Sequence, residues 1–154
     1  MKDTYYPRQA VTRLLLNLEI QDVQKNVTVT QGDTNRRIEV TLVDGARSFE
    51  VPDTWYAVLA GVTPSGEEDV YEACDIRNGK VVFDFTGGTV VSAEPGTSVY
   101  SFDVFDEDGN VVASPKIWVT VLKSTRRLEQ DTTVQRLSLL QEFIERTNQS
   151  EGEA

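Results

Sequence analysis

The sequence has no histidine and a single cysteine, Cys74. Without histidine it lacks the usual base of hydrolytic triads, the commonest metal ligand and the usual pH switch near neutrality. With one cysteine no intrachain disulfide can form. Cys74 sits in an alternating run, where a small core residue is expected rather than a reactive thiol. Basic residues are also scarce: 15 Lys and Arg stand against 25 Asp and Glu, a formal net charge of −10. Nonspecific grip on nucleic acid needs clustered cations, so neither DNA nor RNA is expected as a partner. The same deficit argues against an anionic membrane surface, and the acidic balance serves solubility. No apolar run approaches membrane-spanning length, and Leu14-Leu15-Leu16 is far too short. The first residues, Met1 to Arg8, have no signal-peptide apolar core, so synthesis and use without Sec export is expected.

The motifs of catalysis are missing as well. Gly87-Gly88 has neither the glycine spacing nor the lysine of a phosphate loop. No serine occupies a nucleophile-elbow pattern. Asp103, Asp106, Glu107, Asp108 and Gly109 superficially suggest a calcium loop. Placing Gly109 sixth, however, puts Val104 first and Pro115 twelfth, and neither side chain binds calcium. A solvated hairpin tip is the better reading, and Glu67-Glu68-Asp69 reads the same way. Paired carboxylates are the remaining route to hydrolysis, and nothing in the sequence singles out a pair. No enzyme, cofactor or metal site is expected.

What is present is a succession of short alternating segments. Val27 to Thr30 and Arg36 to Val43 flank a polar corner at Gly32-Asp33 and read as a strand pair. In the second, Ile38, Val40 and Leu42 share one face, opposite Glu39 and Thr41. Period two over this length marks half-buried strands. Arg13 to Ile20 also alternates, with a short helix as the alternative because Leu is a good helix former. Trp55 to Val62 is nearly all apolar, as for a strand covered on both faces. Val70 to Ile76 and Lys80 to Phe85 meet across Asn78-Gly79, the preferred dipeptide of a two-residue hairpin. Val90-Val91 suits a helical turn or an edge strand. Val99 to Phe105 points Tyr100, Phe102 and Val104 inward, and Asp108-Gly109 turns the chain into Asn110 to Ala113. Pro115 belongs at an edge or bulge, and Ile117 to Leu122 is the last strand. Trp55 and Trp118 lie in or beside strands and read as core or inter-sheet packing. Strands and turns at this spacing predict a mainly β chain folded as an antiparallel sandwich.

The composition changes after Leu122. Residues 123–127 form a polar, basic joint. From Leu128 to Thr147 there is no Gly or Pro, and Val134, Leu137, Leu140 and Ile144 step by three or four. This predicts an amphipathic helix over 128–148, about 30 Å long. Its stripe is a candidate seam for self-association or for a partner. A frayed tail, 149–154, follows. At the other end residues 1–12 read as an arm whose Tyr5 and Tyr6 are apolar enough to dock, leaving 13–122 as the β-domain.

Three stretches together resemble the N-terminal domain of the phage baseplate upper protein family. They are Val29-Thr-Gln-Gly-Asp-Thr34 with Arg37-Ile-Glu-Val-Thr-Leu-Val-Asp-Gly45, then Tyr56-Ala-Val-Leu-Ala-Gly-Val-Thr-Pro64 with Ile76-Arg-Asn-Gly-Lys-Val-Val-Phe83, and Glu94-Pro-Gly-Thr-Ser-Val-Tyr-Ser-Phe-Asp-Val-Phe-Asp106. The resemblance spans about Leu14 to Leu122 and brings no catalytic residues. It implies an immunoglobulin-like sandwich followed by a helix, in a noncatalytic component of a tailed-phage or prophage virion. The implied place is the tail baseplate, the implied partners are other baseplate proteins, and the implied state is a homo-oligomer, a trimer by preference. Family members usually continue beyond the helix toward a stalk with receptor-binding parts, so this sequence reads either as a short adaptor or as a fragment of a longer protein. A carbohydrate-binding or adhesin-type β-sandwich is the rival reading, and it requires exposed aromatics on one face.

Overall fold

A computed structural model describes residues 8–125. The β-domain belongs to a compact unit that ends at Lys123. Ten strands form: β1 (Ala10–Asn17), β2 (Val23–Thr30), β3 (Arg36–Asp44), β4 (Arg47–Phe49), β5 (Tyr56–Val62), β6 (Asp69–Arg77), β7 (Lys80–Asp84), β8 (Gly96–Phe105), β9 (Val111–Ala113) and β10 (Lys116–Leu122); β4 was not expected, β1 starts inside the expected arm and β2 starts four residues early, while the rest follow the predicted segments. One 3-10 turn, Val90–Ser92, is the only helical element among the described residues, and the Thr89 hydroxyl caps it by accepting from the Val91 N–H. The helix expected over 128–148, with Val134, Leu137, Leu140 and Ile144, lies outside the described residues, as do Tyr5 and Tyr6.

The period-two faces are as expected. Ile38, Val40, Leu42, Tyr100, Phe102 and Val104 are all essentially inaccessible to solvent, and Leu16, Val27, Val29, Leu59, Ile117 and Val119 join them in one core. Each such side chain contributes about 1.5–3 kcal/mol when fully buried. The Asn78-Gly79 hairpin is also as expected. Asn78 has φ 53° and Gly79 φ 76°, the pair of left-handed residues that a type I′ turn demands. Arg77 and Lys80 pair directly across it.

Pairing differs from expectation in three ways. First, the strands form one continuous sheet, in the order β1-β3-β7-β6-β5-β8-β10-β2, where two separate sheets were expected. The long strand β6 makes the join: Asp69 to Cys74 pair with β5, and Asp75 to Arg77 pair with β7. The result is mainly β, nearly closed and barrel-like. Second, the sheet is not wholly antiparallel, because β1 runs parallel to β3 and β2 parallel to β10. Third, β2 and β3 are not partners. They stand near opposite ends of the sheet order, and the Gly32-Asp33 corner carries the chain between them. That corner holds its own shape: Asp33 accepts from the Asn35 N–H and pairs with the Arg36 guanidinium at 2.9 Å, while the Gly32 N–H donates to Ser92 O. The Pro115 break behaves as proline should, with a register irregularity at Lys116/Ile117 where β10 begins.

Candidate interaction surface

Alternation along β5, β8 and β10 decides which side chains face outward once the core is filled. Inward positions are Ala57 and Leu59 on β5, Tyr100, Phe102 and Val104 on β8, and Ile117, Val119 and Val121 on β10. The outward set therefore includes Tyr56 and Val62, Val99 and Phe105, Trp118 and Leu122. Register makes these neighbours. Val99 is opposite Trp118, and Gly61 is opposite Tyr100, which sets Val62 beside Val99. Tyr71 on β6 faces Ala60 on the same side.

This outer face is apolar and open. Tyr71 is 65% exposed, Leu122 52%, and Val62 and Trp118 42% each. Beside the row, Thr97 and Thr120 share a hydrogen bond at 3.0 Å, and the Thr120 hydroxyl donates to Asn26 Oδ1 at 3.1 Å. At the far end Tyr56 stacks on Phe105, with centroids 4.9 Å apart and planes 11° off parallel. Only Val62, Val99 and Trp118 adjoin directly across the strands, and Thr97, Ser101, Lys116 and Thr120 share the face with them.

Trp118 was read from sequence as packing within the protein, and its exposure corrects that reading. Period two placed it opposite Ile117 and Val119, and those two fill the core, so Trp118 had to face outward. Trp55 does pack as expected. It is partly buried against the core beside Phe49, at 5.8 Å between centroids, and its indole N–H points to Glu107 at 3.4 Å. The outer face itself was legible in the alternation of β8 and β10. What hid it was the assumption that a tryptophan in a strand belongs inside.

The opposite half of the sheet carries charge instead. Glu39, on the outer side of β3, has Lys80 at 3.1 Å and Arg13 and Arg37 each at 4.0 Å. The turn between β1 and β2 bounds an open groove of about 460 Å³ lined by Leu15, Ile20, Val23 and Val43 together with Asn17, Gln24, Lys25 and Gly45. It gathers no acid, base or nucleophile in an order that suggests chemistry.

The acidic hairpin tip is self-contained. Asp106 Oδ1 accepts from the backbone N–H groups of Asp108 and Asn110, and Oδ2 accepts from the Asn110 side chain. Hydrogen bonding from Asn110 in particular holds the Asp106 carboxyl below its ordinary value. Cys74 packs against the core, and burial, reinforced by Asp75 and Glu72, pushes its thiol up to about 12. Among the described residues no three His, Cys, Asp or Glu side chains converge as metal ligands.

No protein-family model matches the chain, and no curated protein matches it in sequence. Among solved structures the chain is similar to the N-terminal domain of phage TP901-1 ORF48, with a TM-score of 0.52 and 14% identity, over 74% of this chain and 99% of that one. The fold is shared with that domain over nearly its whole length and is mainly β as the resemblance implied, but without the two separate sheets of the implied sandwich.

Proposed function

We propose that this chain is a noncatalytic structural component of a tailed-phage baseplate. It docks to other baseplate proteins and self-assembles, as a trimer by preference, through the stripe Val134, Leu137, Leu140 and Ile144. The observation that carries this reading is the fold shared with nearly the whole of the phage TP901-1 ORF48 N-terminal domain. Exposed Val62, Trp118 and Leu122, with half-buried Val99 between Val62 and Trp118, support it, because a docking module needs apolar surface of this kind. Four large stripe residues, each worth about 1.5–3 kcal/mol when buried, are enough to assist an oligomer already held by other contacts. Light scattering on the full chain tests the assembly. A concentration-independent trimer is expected, and replacing Leu137 and Leu140 by Glu should return monomers. A monomer at high concentration would overturn the self-assembly.

One observation favours the rival reading of a carbohydrate-binding module: Tyr71 and Trp118 share the outer face and are well exposed. Sugars stacking there would change Trp118 fluorescence in titrations with host cell-wall saccharides. The baseplate reading expects no saturable change.

A further inference from the structure

The nearly closed sheet has one gap, between its end strands β1 and β2. The two strands leave a shared turn at residues 18–22 side by side, then pair elsewhere, β1 with β3 and β2 with β10. In a parallel ladder, alternate residues bond to the partner and the others face away. The Ala10 and Leu18 N–H groups donate to Asn35 and Val43 on the β3 side. Even-numbered residues of β1 therefore bond to β3, and Val11, Arg13, Leu15 and Asn17 turn their backbone groups to the gap. Asn17 is satisfied by the Gln24 side chain. Val11, Arg13 and Leu15 have no ladder partner on that edge among the described residues. An open edge of this length is a template for another strand.

We propose that residues 1–7 of the same chain fill this gap. They reverse at Pro7-Arg8 and add to β1 as an antiparallel strand. Three observations select this occupant. The segment joins β1 at its Ala10 end, away from the Gln24 bridge that closes the other end. Gln9 is fixed there: its side-chain amide donates to Arg36 O at 3.1 Å, Asp84 Oδ1 at 2.7 Å and Thr86 Oγ1 at 3.1 Å. The length suffices for most of the edge: a reversal at Pro7-Arg8 sets Tyr6 opposite Gln9, Thr4 opposite Val11 and Lys2 opposite Arg13, and ends with Met1 opposite Leu14, one short of Leu15. Proline is favoured at the second position of a tight turn. Tyr5 and Tyr6 are consecutive, so on a strand they face opposite sides, one of them toward the half-buried Thr12 and Leu14.

Amide hydrogen exchange on the full chain tests this, alongside a variant lacking residues 2–7 and a Tyr5→Ser, Tyr6→Ser variant of unchanged length. Val40 and Phe102 amides serve as reporters of the core. In the full chain the Val11 and Arg13 amides should exchange at least about tenfold more slowly than in the truncated chain, with core rates and the Leu15 amide, which lies beyond Met1, unchanged. The tyrosine variant should give an intermediate loss at the same two amides. Edge rates identical in all three proteins would overturn the proposal. So would protection that falls on dilution, because the added strand would then come from a second copy. Loss of core protection in both variants would overturn it too, since the arm would then be part of the core.

Discussion

The side-chain amide of Gln24 holds both backbone groups of Asn17: Oε1 accepts from the Asn17 N–H at 2.7 Å, and Nε2 donates to the Asn17 carbonyl at 2.8 Å. One side chain thus makes the two bonds that a residue of a neighbouring strand would make. It sits where β1 and β2 part company. Gln24→Ala leaves a part-buried donor and acceptor without partners, which should cost about 1–3 kcal/mol. Urea unfolding measures this, and Gln24→Glu, which removes the donor, should not recover the loss.

Gly61 and Tyr100 form the tightest approach inside the sheet. A Cβ on Gly61 would lie 2.5 Å from Tyr100 Cδ1 and 2.7 Å from the Val99 carbonyl. Gly61→Ala should therefore cost about 1–3 kcal/mol by overpacking. The Tyr100 hydroxyl is buried and makes no well-formed hydrogen bond, although the Ser98 side chain interacts with it. Tyr100→Phe removes that oxygen and should be neutral or stabilising in the same unfolding assay.

Cys74 should resist thiol reagents in the native protein at pH 7–8. Its thiol is pushed up to about 12 by burial and by Asp75 and Glu72, so almost no thiolate exists at neutral pH. Labelling of the folded protein should be far slower than that of the urea-unfolded chain, and equal rates would contradict the raised thiol of this part-buried residue.

Asp84 supplies an acid-sensitive contact. Burial opposes its charge, but hydrogen bonds from Thr86 and Gln9 and the nearby Arg77 outweigh burial and hold its carboxyl below 3.8. A depressed folded-state value contributes stability above the unfolded value and loses it as pH falls through the folded one. The destabilisation caused by Asp84→Asn should therefore be full at pH 7 and shrink below about pH 3.8. Urea midpoints of both proteins across that range read the difference.

Trp118→Glu should weaken docking to baseplate partners while leaving the fold intact, because the ring is 42% exposed on the outer face. Surface plasmon resonance against purified baseplate proteins reads the affinity, and far-UV circular dichroism checks the fold. An unchanged affinity would remove this face from the docking surface.

Most strands, both hairpin turns and the inward faces were legible because they rest on local rules. Alternation fixes a side chain's face, Asn78-Gly79 fixes a type I′ turn, and proline ends a ladder. Ile20 marks where local reading overran: β1 stops at Asn17, and Ile20 in the following turn is 46% exposed. The apolar outer row was half legible, since its positions followed from alternation while its exposure did not.

Partner choice belongs to the tertiary structure. A period-two segment has two equivalent edges, and nothing local says which strand will occupy either. Val27–Thr30 and Arg36–Val43 adjoin in sequence yet stand near opposite ends of the sheet order, because each finds its hydrogen bonds with a distant strand. Parallel pairing of β1 with β3 and β2 with β10 arises in the same way. So does the exposure of Trp118: Ile117, Val119 and Val121 fill the core, and a core of that size has no second layer to cover the other side of β10. The sequence alone determined what each segment is and which face it buries. The closing of the sheet decided which segments meet, and left β1 and β2 to be bridged by Gln24.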